Sequence, residues 1–217
     1  MKRYILTSFV LALACGPGAV AGTVYDNTVT DTLNTISYST GPYAQIGDQV
    51  ALGGVDRLLN SASIQFYNNG DAGTFSAIPQ FWNLGAPVGA QIGGDYQVDG
   101  LAIDASSILT VPFSIPNLEA PDSLIVTVAI LNTSAGMDLG LDLFDPPVVG
   151  SSDNTALIVN DGSFQTSSTP EGLGNLYLGL DATTPDTSAP EPSTGAMLGG
   201  LAILALIVRR PSARSAR

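Results

Sequence analysis

Apolar residues recur along the middle of the chain in short runs, and turn-forming residues separate these runs. Residues 57–67 alternate most clearly, because Ala62, Ile64 and Phe66 share one face of a predicted strand and Ser or Gln lie between them. Residues 123–131 are almost continuously apolar and β-branched, which is typical of a central strand buried on both faces. No long stretch repeats its apolar residues at helical spacing. The pattern therefore predicts an all-β domain.

Other short strands are predicted on both sides of these two. They comprise residues 23–25, 36–38, 49–52, 74–84, 108–115, 137–144 and 156–159, and a last strand with Leu176, Leu178 and Leu180 on its apolar face. In residues 137–144 the leucines are expected to point inward, and Asp138 and Asp142 outward into solvent. Many short strands without βαβ spacing predict an antiparallel β-sandwich or jelly roll at residues 22–180. Residues 181–189, rich in Thr, Pro, Ser and Asp, then predict an exposed linker.

The turn at residues 68–73 is a specific signal, since Asn, Asp and Gly tolerate the positive φ of tight turns. Residues 74–84 are accordingly expected to pair back across it onto residues 57–67. Pro79 lacks a backbone N–H, so it indicates a sheet edge or a bulge within the second strand.

Charged residues are distributed very unevenly along the chain. All nineteen acidic residues lie between Asp26 and Glu191, whereas Arg57 is the single basic residue between Gly22 and Glu191, so that this part has a formal charge of −18. Such a surface repels nucleic acid and anionic lipid and attracts cations, which excludes nucleic-acid binding. The chain also has one cysteine, Cys15, and no histidine. It therefore has no intramolecular disulfide and no imidazole ligand for a metal.

Residues 1–21 are predicted to be a signal peptide, because two basic residues precede an apolar stretch too short for an ordinary transmembrane helix. Ala19 and Ala21 are the small residues that a signal peptidase requires, and Gly22 would then be the first residue of the exported protein. A lipoprotein cleavage that leaves a lipidated Cys15 is the less favoured alternative, because alanine replaces the usual leucine three positions before it.

The C-terminal end has a distinct organisation. Its three parts, in order, are Pro190-Glu191-Pro192, a charge-free apolar stretch at residues 195–208, and a basic end with Arg209 and Arg210, which together make up residues 190–217. Fourteen helical residues would span about 21 Å, short of the hydrocarbon core of about 30 Å. One interpretation is a single weak membrane anchor with its arginines held in the cytoplasm.

The order of these parts resembles the PEP-CTERM sorting signal of Gram-negative bacteria. The resemblance implies recognition by an exosortase, a membrane-embedded transpeptidase-like enzyme, and removal of the tail. The residues that match the signal are Pro190, Glu191, Pro192, Arg209 and Arg210. It further implies transient membrane insertion of the short C-terminal helix and export to the cell surface or the extracellular matrix.

A second resemblance covers residues 24–180. Residues 45–67 and 141–154 resemble the choice-of-anchor R domain of exported bacterial proteins, with the core pattern G-D-x-V-x-L-x-G-x-x-R running from Gly47 to Arg57. The chain departs from this pattern from Ser163 onward. The resemblance implies a surface-sorted protein, but the family has no established activity, so no binding residue follows from it.

Residue content limits the available chemistry. Without histidine, neither a Ser-His-Asp nor a Cys-His nucleophile can form. A pair of carboxylates, as in glycosidases, remains available, but solvation of a surface explains acids in turns equally well. We therefore predict no catalytic residues and no enzymatic activity.

Calcium is the ion that the remaining residues suit, because carboxylate, amide and carbonyl oxygens are its hard ligands. The candidates are Asn68, Asn69 and Asp71; Asp138, Asp142 and Asp145; and Asp153, Asn154 and Asp161. None matches the spacing of an EF-hand loop or a calcium-binding nonapeptide repeat, and turn formation accounts for the same residues. We therefore predict no metal site and no cofactor, with calcium left open.

Arg57 is expected to form an intramolecular ion pair with neighbouring Asp48 or Asp56. A guanidinium forms forked bonds with carboxylates, so lysine would be a poor replacement.

Three aromatic residues offer an alternative function. Trp82, with Phe81 and Tyr67, could stack on a sugar ring if it were exposed, although a lone Trp in a β-sandwich is more often a core residue.

These observations predict a non-enzymatic, exosortase-sorted protein of the cell surface or extracellular matrix. Its expected role is structural or adhesive, within the exopolysaccharide or biofilm layer. The expected partners are a signal peptidase, an exosortase-type enzyme and exopolysaccharide. A carbohydrate-binding module is the alternative function, and a glycosidase is a less favoured one.

Overall fold

The computed structural model describes residues 21–38, 45–84, 91–160, 163–166 and 174–184. These ranges contain strands, turns and bends, and no helix, so the prediction of an all-β domain is confirmed. Accordingly, the described part has no helix long and apolar enough to cross a membrane. The strands are β1 (Gly22–Asn27), β2 (Asp31–Ser37), β3 (Gln45–Ala51), β4 (Leu58–Asn68), β5 (Gly73–Asn83), β6 (Gln91–Ile92), β7 (Val98–Ile103), β8 (Ser107–Glu119), β9 (Ser123–Leu131), β10 (Leu139–Phe144), β11 (Ser151–Asn160), β12 (Ser163–Thr166), β13 (Asn175–Leu176) and β14 (Leu178–Thr183).

These strands form two seven-stranded antiparallel sheets. Sheet A has the order β1-β14-β4-β10-β13, with β2 paired to β10 and β8 paired to β4. Sheet B has the order β12-β11-β3-β9-β5-β6, with β7 paired to β5. Most connections pass from one sheet to the other, for example from β2 to β3, from β3 to β4 and from β4 to β5.

The inward faces of both sheets contribute to one hydrophobic core, in a sandwich-like arrangement. In β4, Ala62, Ile64 and Phe66 are buried, whereas the residues between them are partly exposed, as the alternation predicts. The Phe66 ring of sheet A meets the Phe75 ring of sheet B, with ring centroids 5.1 Å apart and tilted planes. This contact joins the two layers beside the β4–β5 connection, in a geometry that aromatic pairs prefer.

Strand β9 occupies a central position, as predicted. It pairs with β3 on one side and with β5 on the other. Val126 and Val128 face the core and are fully buried, and Thr127 on the opposite face is also fully buried. A strand covered on both faces explains why its sequence shows an apolar run instead of alternation.

The predicted pairing of residues 74–84 with residues 57–67 is wrong. β4 lies in sheet A and β5 in sheet B, so the turn at residues 68–73 connects the two layers. The Asn68 side chain holds this turn, since its Nδ2 donates to Asp71 O and Asp104 O at 2.8 and 3.1 Å. Its Oδ1 accepts from two backbone amides. Turn residues fix where the chain reverses, but strand partners depend on distant segments.

Pro79 lies within β5, which pairs with other strands on both of its sides. On the side opposite β9, β7 pairs with residues 73–77 and β6 with residues 81–82. Pro79 falls in the interval between these two pairings. β5 is therefore not an outer edge, but the proline still occupies a local break in the ladder.

Two further predictions on β10 and β14 need correction. Asp142 was expected in solvent, yet only 6% of its surface is exposed. It lies on the opposite side of β10 from the core residues Leu141 and Leu143, as the alternation predicted. That side is nevertheless buried by other parts of the domain. β14 extends to Thr183 and pairs with β1 and β4, so the sheet continues three residues into the predicted linker at residues 181–189.

Candidate functional site

A groove with a volume of about 330 Å³, lined by both polar and apolar atoms, crosses the outer face of sheet A, over β1, β14 and β4. The β1–β14 register sets Thr23 opposite Asp181 and Asp26 opposite Gly179, which brings both carboxylates to the same face. Opposed and diagonal positions on one face of adjacent strands are neighbours. The groove is formed where β4 and β14 carry small residues on this face, namely Ser61, Ser63 and Gly179. Tyr177 also lines the groove.

Hydroxyl groups orient both carboxylates of this groove. Asp181 Oδ1 accepts from Thr23 Oγ1 at 2.9 Å and Oδ2 accepts from Ser61 Oγ at 3.0 Å. Asp26 Oδ1 accepts from the Thr28 amide at 3.1 Å and the Thr28 hydroxyl at 2.6 Å. Each carboxylate oxygen offers more than one acceptor direction. The groove therefore presents oriented acceptors that suit ligand hydroxyl groups or cations.

Tyr177 supplies the aromatic part of the groove. Its ring packs edge-on against Phe144, with centroids 4.9 Å apart, and its backbone N–H donates to Asp142 O at 3.0 Å. The side chain is only partly buried, so part of the ring reaches the groove surface. An aromatic ring beside oriented carboxylates suits a sugar, because the ring packs against the C–H groups of the sugar and the carboxylates accept hydrogen bonds from its hydroxyls.

A second cavity, of about 210 Å³, lies where β3 and β11 meet. Between Ser152 and Ala156 the register with β3 shifts, so three residues of β11 oppose one of β3. Such bulges often occur beside functional sites. Ser152 and Asp153 line this cavity, and Ser152 Oγ donates to Asp48 Oδ1 at 2.8 Å.

Asp48 is completely buried in sheet B. Burial raises its pKa to about 8, and the charge of Asp153 adds to this effect while the hydrogen bond from Ser152 opposes it. The pKa of Asp142 is also raised, to about 6, by burial and by the charge of Asp31. Hydrogen bonds from the backbone amides of Leu176 and Gln49 also oppose the shift at Asp48, whereas Asp142 Oδ2 is buried without a hydrogen-bond partner in the described structure.

Arg57 forms its ion pair with a residue that was not predicted. Its Nε lies 2.8 Å from Asp122 Oδ1, instead of pairing with the carboxylate of Asp48 or Asp56. Its Nη1 donates to the backbone carbonyls of Gly53 at 3.2 Å and Asp56 at 2.7 Å. The side chain of Asp122 is 89% exposed and that of Arg57 only 18%, so solvent weakens the ion pair while the carbonyl bonds are shielded.

The aromatic platform proposed for sugar binding is not exposed. Trp82 is 5% exposed, Tyr67 is equally buried and Phe81 is inaccessible. The Trp82 Nε1 donates to Thr127 Oγ1 at 2.9 Å, and that hydroxyl donates to Gln45 Oε1 at 2.6 Å. Trp82 is therefore a core residue with its polar atom satisfied.

The calcium candidates are distributed over different parts of the domain. Asn68 is engaged in its turn, and its Oδ1 accepts from the Asp138 amide at 3.1 Å, so two predicted groups meet there. Asp138 Oδ1 accepts from Ser37 Oγ at 2.9 Å. Asp145 lies near Asn175, and Asp153 near Asp48. Among the described residues, no three acidic side chains form a group that could hold a metal ion.

Several candidates lie outside the described residues. These are Ala19, Pro190, Glu191, Pro192, Arg209, Arg210 and Asp161, and the side chain of Asn154 is not described either. Of the predicted cleavage site, Ala21 precedes β1 and Gly22 is its first residue.

Sequence reasoning missed the groove and the burial of Asp48 for different reasons. Asp26 and Asp181 are far apart in sequence, and no local signal brings them together. Asp48 lies two residues from both Ile46 and Val50, so a period of two could have placed it on the core face, but the predicted strand began only at residue 49. Comparison with protein-family models, with curated proteins and with solved structures finds no match for this chain.

Proposed function

We propose that this chain is an exported, non-enzymatic component of the cell-surface or extracellular polysaccharide layer, with a structural or adhesive role. The observation that carries this proposal is the order of its C-terminal parts: Pro-Glu-Pro, a short apolar stretch and an arginine-rich end, resembling a PEP-CTERM signal. An exosortase-type enzyme then removes the tail after transient membrane insertion. The resemblance of residues 24–180 to a choice-of-anchor R domain supports the same location.

The groove on sheet A supports contact with a polysaccharide. Its oriented carboxylates, Asp26 and Asp181, accept hydrogen bonds from sugar hydroxyls, and Tyr177 packs against a ring face. The strong negative charge of the domain favours a neutral or cationic polymer, or an acidic one bridged by cations. This groove replaces Trp82 as the carbohydrate-binding surface in the alternative function.

Binding without catalysis fits this groove better than glycoside hydrolysis does. A glycosidase of the usual kind needs one carboxyl that stays protonated to donate to the leaving oxygen. Asp181 accepts a hydroxyl bond on each of its oxygens, and Asp26 accepts two bonds on one oxygen. Both side chains therefore already serve as hydrogen-bond acceptors, a role that suits the binding of sugar hydroxyls.

We further propose that the two sheets form a jelly roll. Taking β2, β3, β4, β5, β7, β8, β9 and β10 in chain order, the first pairs with the last, β2 with β10. The next pairs inward are β3 with β9, β4 with β8 and β5 with β7. Such nested antiparallel pairing, alternating between two sheets, is the pattern of a hairpin rolled into a jelly roll. β11 to β14 are then additions to its edges.

The sorting part of the proposal is tested in the native host by intact mass of the protein in each cell fraction. We expect a mature form that begins at Gly22 and ends near Pro190, outside the membrane fraction. Glu191→Ala should leave the full-length C-terminus in the membrane. If the unsubstituted protein keeps its tail in the membrane, it is a simple anchored protein and the sorting proposal is wrong.

The groove is tested by affinity electrophoresis in exopolysaccharide purified from the host. Asp181→Asn and Tyr177→Ala should each weaken retention roughly tenfold, equivalent to about 1.4 kcal/mol per lost contact. Glu119→Gln removes the same charge at an exposed position outside the groove and should bind normally. Equal retention of all variants would exclude the groove as the binding surface.

A further inference from the structure

The groove on sheet A follows a row of residues that crosses four strands. The registers set Asp26 of β1 opposite Gly179 of β14, and Gly179 opposite Ser63 of β4. Ser63 in turn lies opposite Pro112 of β8, and all four residues line the groove. Adjacent strands lie about 4.8 Å apart, so the row extends over about 14 Å. The groove is therefore long enough for a segment of a polymer that runs across the strands.

Both carboxylates of the groove lie at the β1–β14 end of this row. Asp181 comes two residues after Gly179, the partner of Asp26, so the two acids occupy diagonal positions on adjacent strands. Such positions are roughly 7–8 Å apart. One ligand chain can therefore contact both carboxylates.

The groove has more hydrogen-bond acceptors than donors. The hydroxyls of Thr23 and Ser61 donate to Asp181, and the amide and hydroxyl of Thr28 donate to Asp26. A hydroxyl has one proton, so these three hydroxyls have none left for a ligand. A carboxylate has about four acceptor sites, so roughly two remain on each acid. A ligand that fits the groove must chiefly donate hydrogen bonds.

The charge of the groove is also unbalanced. Of the described residues that line it, none is basic and none has an amide side chain. Arg57 is the single basic residue between Gly22 and Glu191, and it binds Asp122 and two backbone carbonyls. A neutral ligand would displace water from the carboxylates without compensating their charge, which is costly. An ammonium group has three donors, no acceptor and a positive charge, and its bonds to a carboxylate are stronger than those of a neutral hydroxyl.

Two ring side chains give the groove an apolar part. The Tyr177 ring is held edge-on against Phe144, and Pro112 lies at the β8 end of the row. Both rings offer flat apolar surfaces to the C–H groups of a sugar ring. An amino group carried on a sugar therefore fits the groove better than one carried on an acyclic chain.

We propose that the groove binds a polysaccharide whose sugar units carry free, protonated amino groups, and that these ammonium groups bind Asp26 and Asp181. This inference rests on the polysaccharide binding proposed above, and it selects a cationic polymer over a neutral one or an acidic one bridged by cations. Acetylation of the amino groups would remove their charge and all but one of their donors. The groove therefore distinguishes the free amine from the acetylated sugar.

The test is calorimetry of the full-length protein with short glucosamine oligomers and, as the matched ligand, the same oligomers fully N-acetylated. EDTA is present, the pH is about 5.5 so that the amino groups are protonated, and about 50 mM NaCl leaves surface charges weakly screened. The amino form should bind at least roughly tenfold more tightly than the acetylated form. Asp26→Asn and Asp181→Asn should each weaken its binding roughly tenfold. Glu119→Gln removes the same charge at an exposed position outside the groove and should leave the Kd unchanged.

Spermine, a polyamine without sugar rings, separates recognition of the sugar from attraction to a negative surface. It should bind at least roughly tenfold more weakly than the amino oligomer. Equal affinity for spermine, or equal binding by all three variants, would show that overall charge alone is recognised and would overturn the proposal.

The same titrations separate this inference from the proposed function. If the acetylated oligomer binds as tightly as the amino form and both Asp variants weaken it, the groove is a sugar site and the inference about amino groups is wrong. If the amino oligomer does not bind at all, the inference is also wrong, while retention of the protein in host exopolysaccharide still decides whether the groove binds a polysaccharide.

Discussion

Asp142 provides a direct test of how burial controls the stability of this domain. The residue lies in the middle of β10, is 6% exposed, and its Oδ2 has no hydrogen-bond partner in the described structure. Burial, and then the charge of Asp31, raise its pKa from 3.8 to about 6. The folded protein therefore holds a proton on Asp142 over a pH range in which the unfolded chain has lost it.

The sign and size of the effect follow from proton linkage. Because the folded state binds more protons between pH 3.8 and about 6, stability falls as the pH rises through this window. Below it both states are protonated, and above it both are ionised and the full cost is present. A shift of about two pKa units, at 1.36 kcal/mol each, corresponds to about 3 kcal/mol.

The perturbation is Asp142→Asn, which keeps the shape and removes the titration. Urea unfolding at pH 4, 5, 6, 7 and 8, with EDTA present, gives the free energy of unfolding of both proteins. We expect the variant to match the unsubstituted protein near pH 4 and to exceed it by up to about 3 kcal/mol at pH 8. The titration of Asp48 is common to both proteins and cancels in the difference.

Glu119→Gln is the matched control, because it removes one charge at an exposed position. Its difference from the unsubstituted protein should change by less than about 0.5 kcal/mol over the same range. If the Asp142→Asn difference is also independent of pH, Asp142 is hydrated in solution and the reasoning from burial is refuted.

Three further predictions concern packing and backbone conformation. Arg57→Lys should lower the Tm by the equivalent of about 1 kcal/mol. Asp122→Asn should lower it by less, because the exposed carboxylate contributes less than the hydrogen bonds from Arg57 to the two backbone carbonyls. Equal losses in the two variants would contradict this order. Gly47→Ala should lose about 2–3 kcal/mol in urea unfolding, since its Cβ would lie 2.5 Å from Val126 O; a loss near zero would mean that β9 can shift. Leu33→Asn should raise the Tm slightly, because Leu33 has a φ of 61° and is 87% exposed; a lower Tm would reveal a stabilising contact of the leucine.

The alternation of apolar and polar residues predicted individual strands well, because this pattern depends only on which faces of a strand are buried. The alternation in β4 and the apolar run of β9 depend on which faces are buried, and both were predicted correctly. Pairing was not predictable in this way. The 68–73 turn looks like a hairpin turn, but the partners of β4 and β5 are set by β8, β9 and β14, which lie far along the chain.

The side of the strand on which a residue lies could also be predicted, whereas the burial of that side by other segments could not. Asp142 points away from the core as expected, yet neighbouring segments bury it. Asp48 shares the inward face of β3 with Ile46 and Val50. Its burial follows from the pattern once the strand is extended back to Gln45. The groove needed the register of β1 with β14, which no local signal contains.

The segment that resembles a choice-of-anchor R domain has a structural explanation position by position. Gly47 lets β9 approach, Val50 and Leu52 are buried, and Gly54 adopts a φ of 62°. Arg57 then closes the segment by binding two carbonyls and Asp122. These positions specify how β3 turns into β4, and none of them lines the groove on sheet A.

The segment from Gly47 to Arg57 and the groove on sheet A are therefore built from different residues. If the pattern from Gly47 to Arg57 encodes a folding unit, chains that share it need share no ligand, because the residues proposed to contact a ligand lie elsewhere, in the groove on sheet A. Asp48 is the exception, since it has no packing advantage over an apolar residue at a fully buried position. Hydrogen bonds from Ser152 and from the backbone amides of Leu176 and Gln49 offset part of the cost of burying this carboxylate, so that Asp48 belongs to the packing of the segment, whereas binding specificity is proposed for the groove.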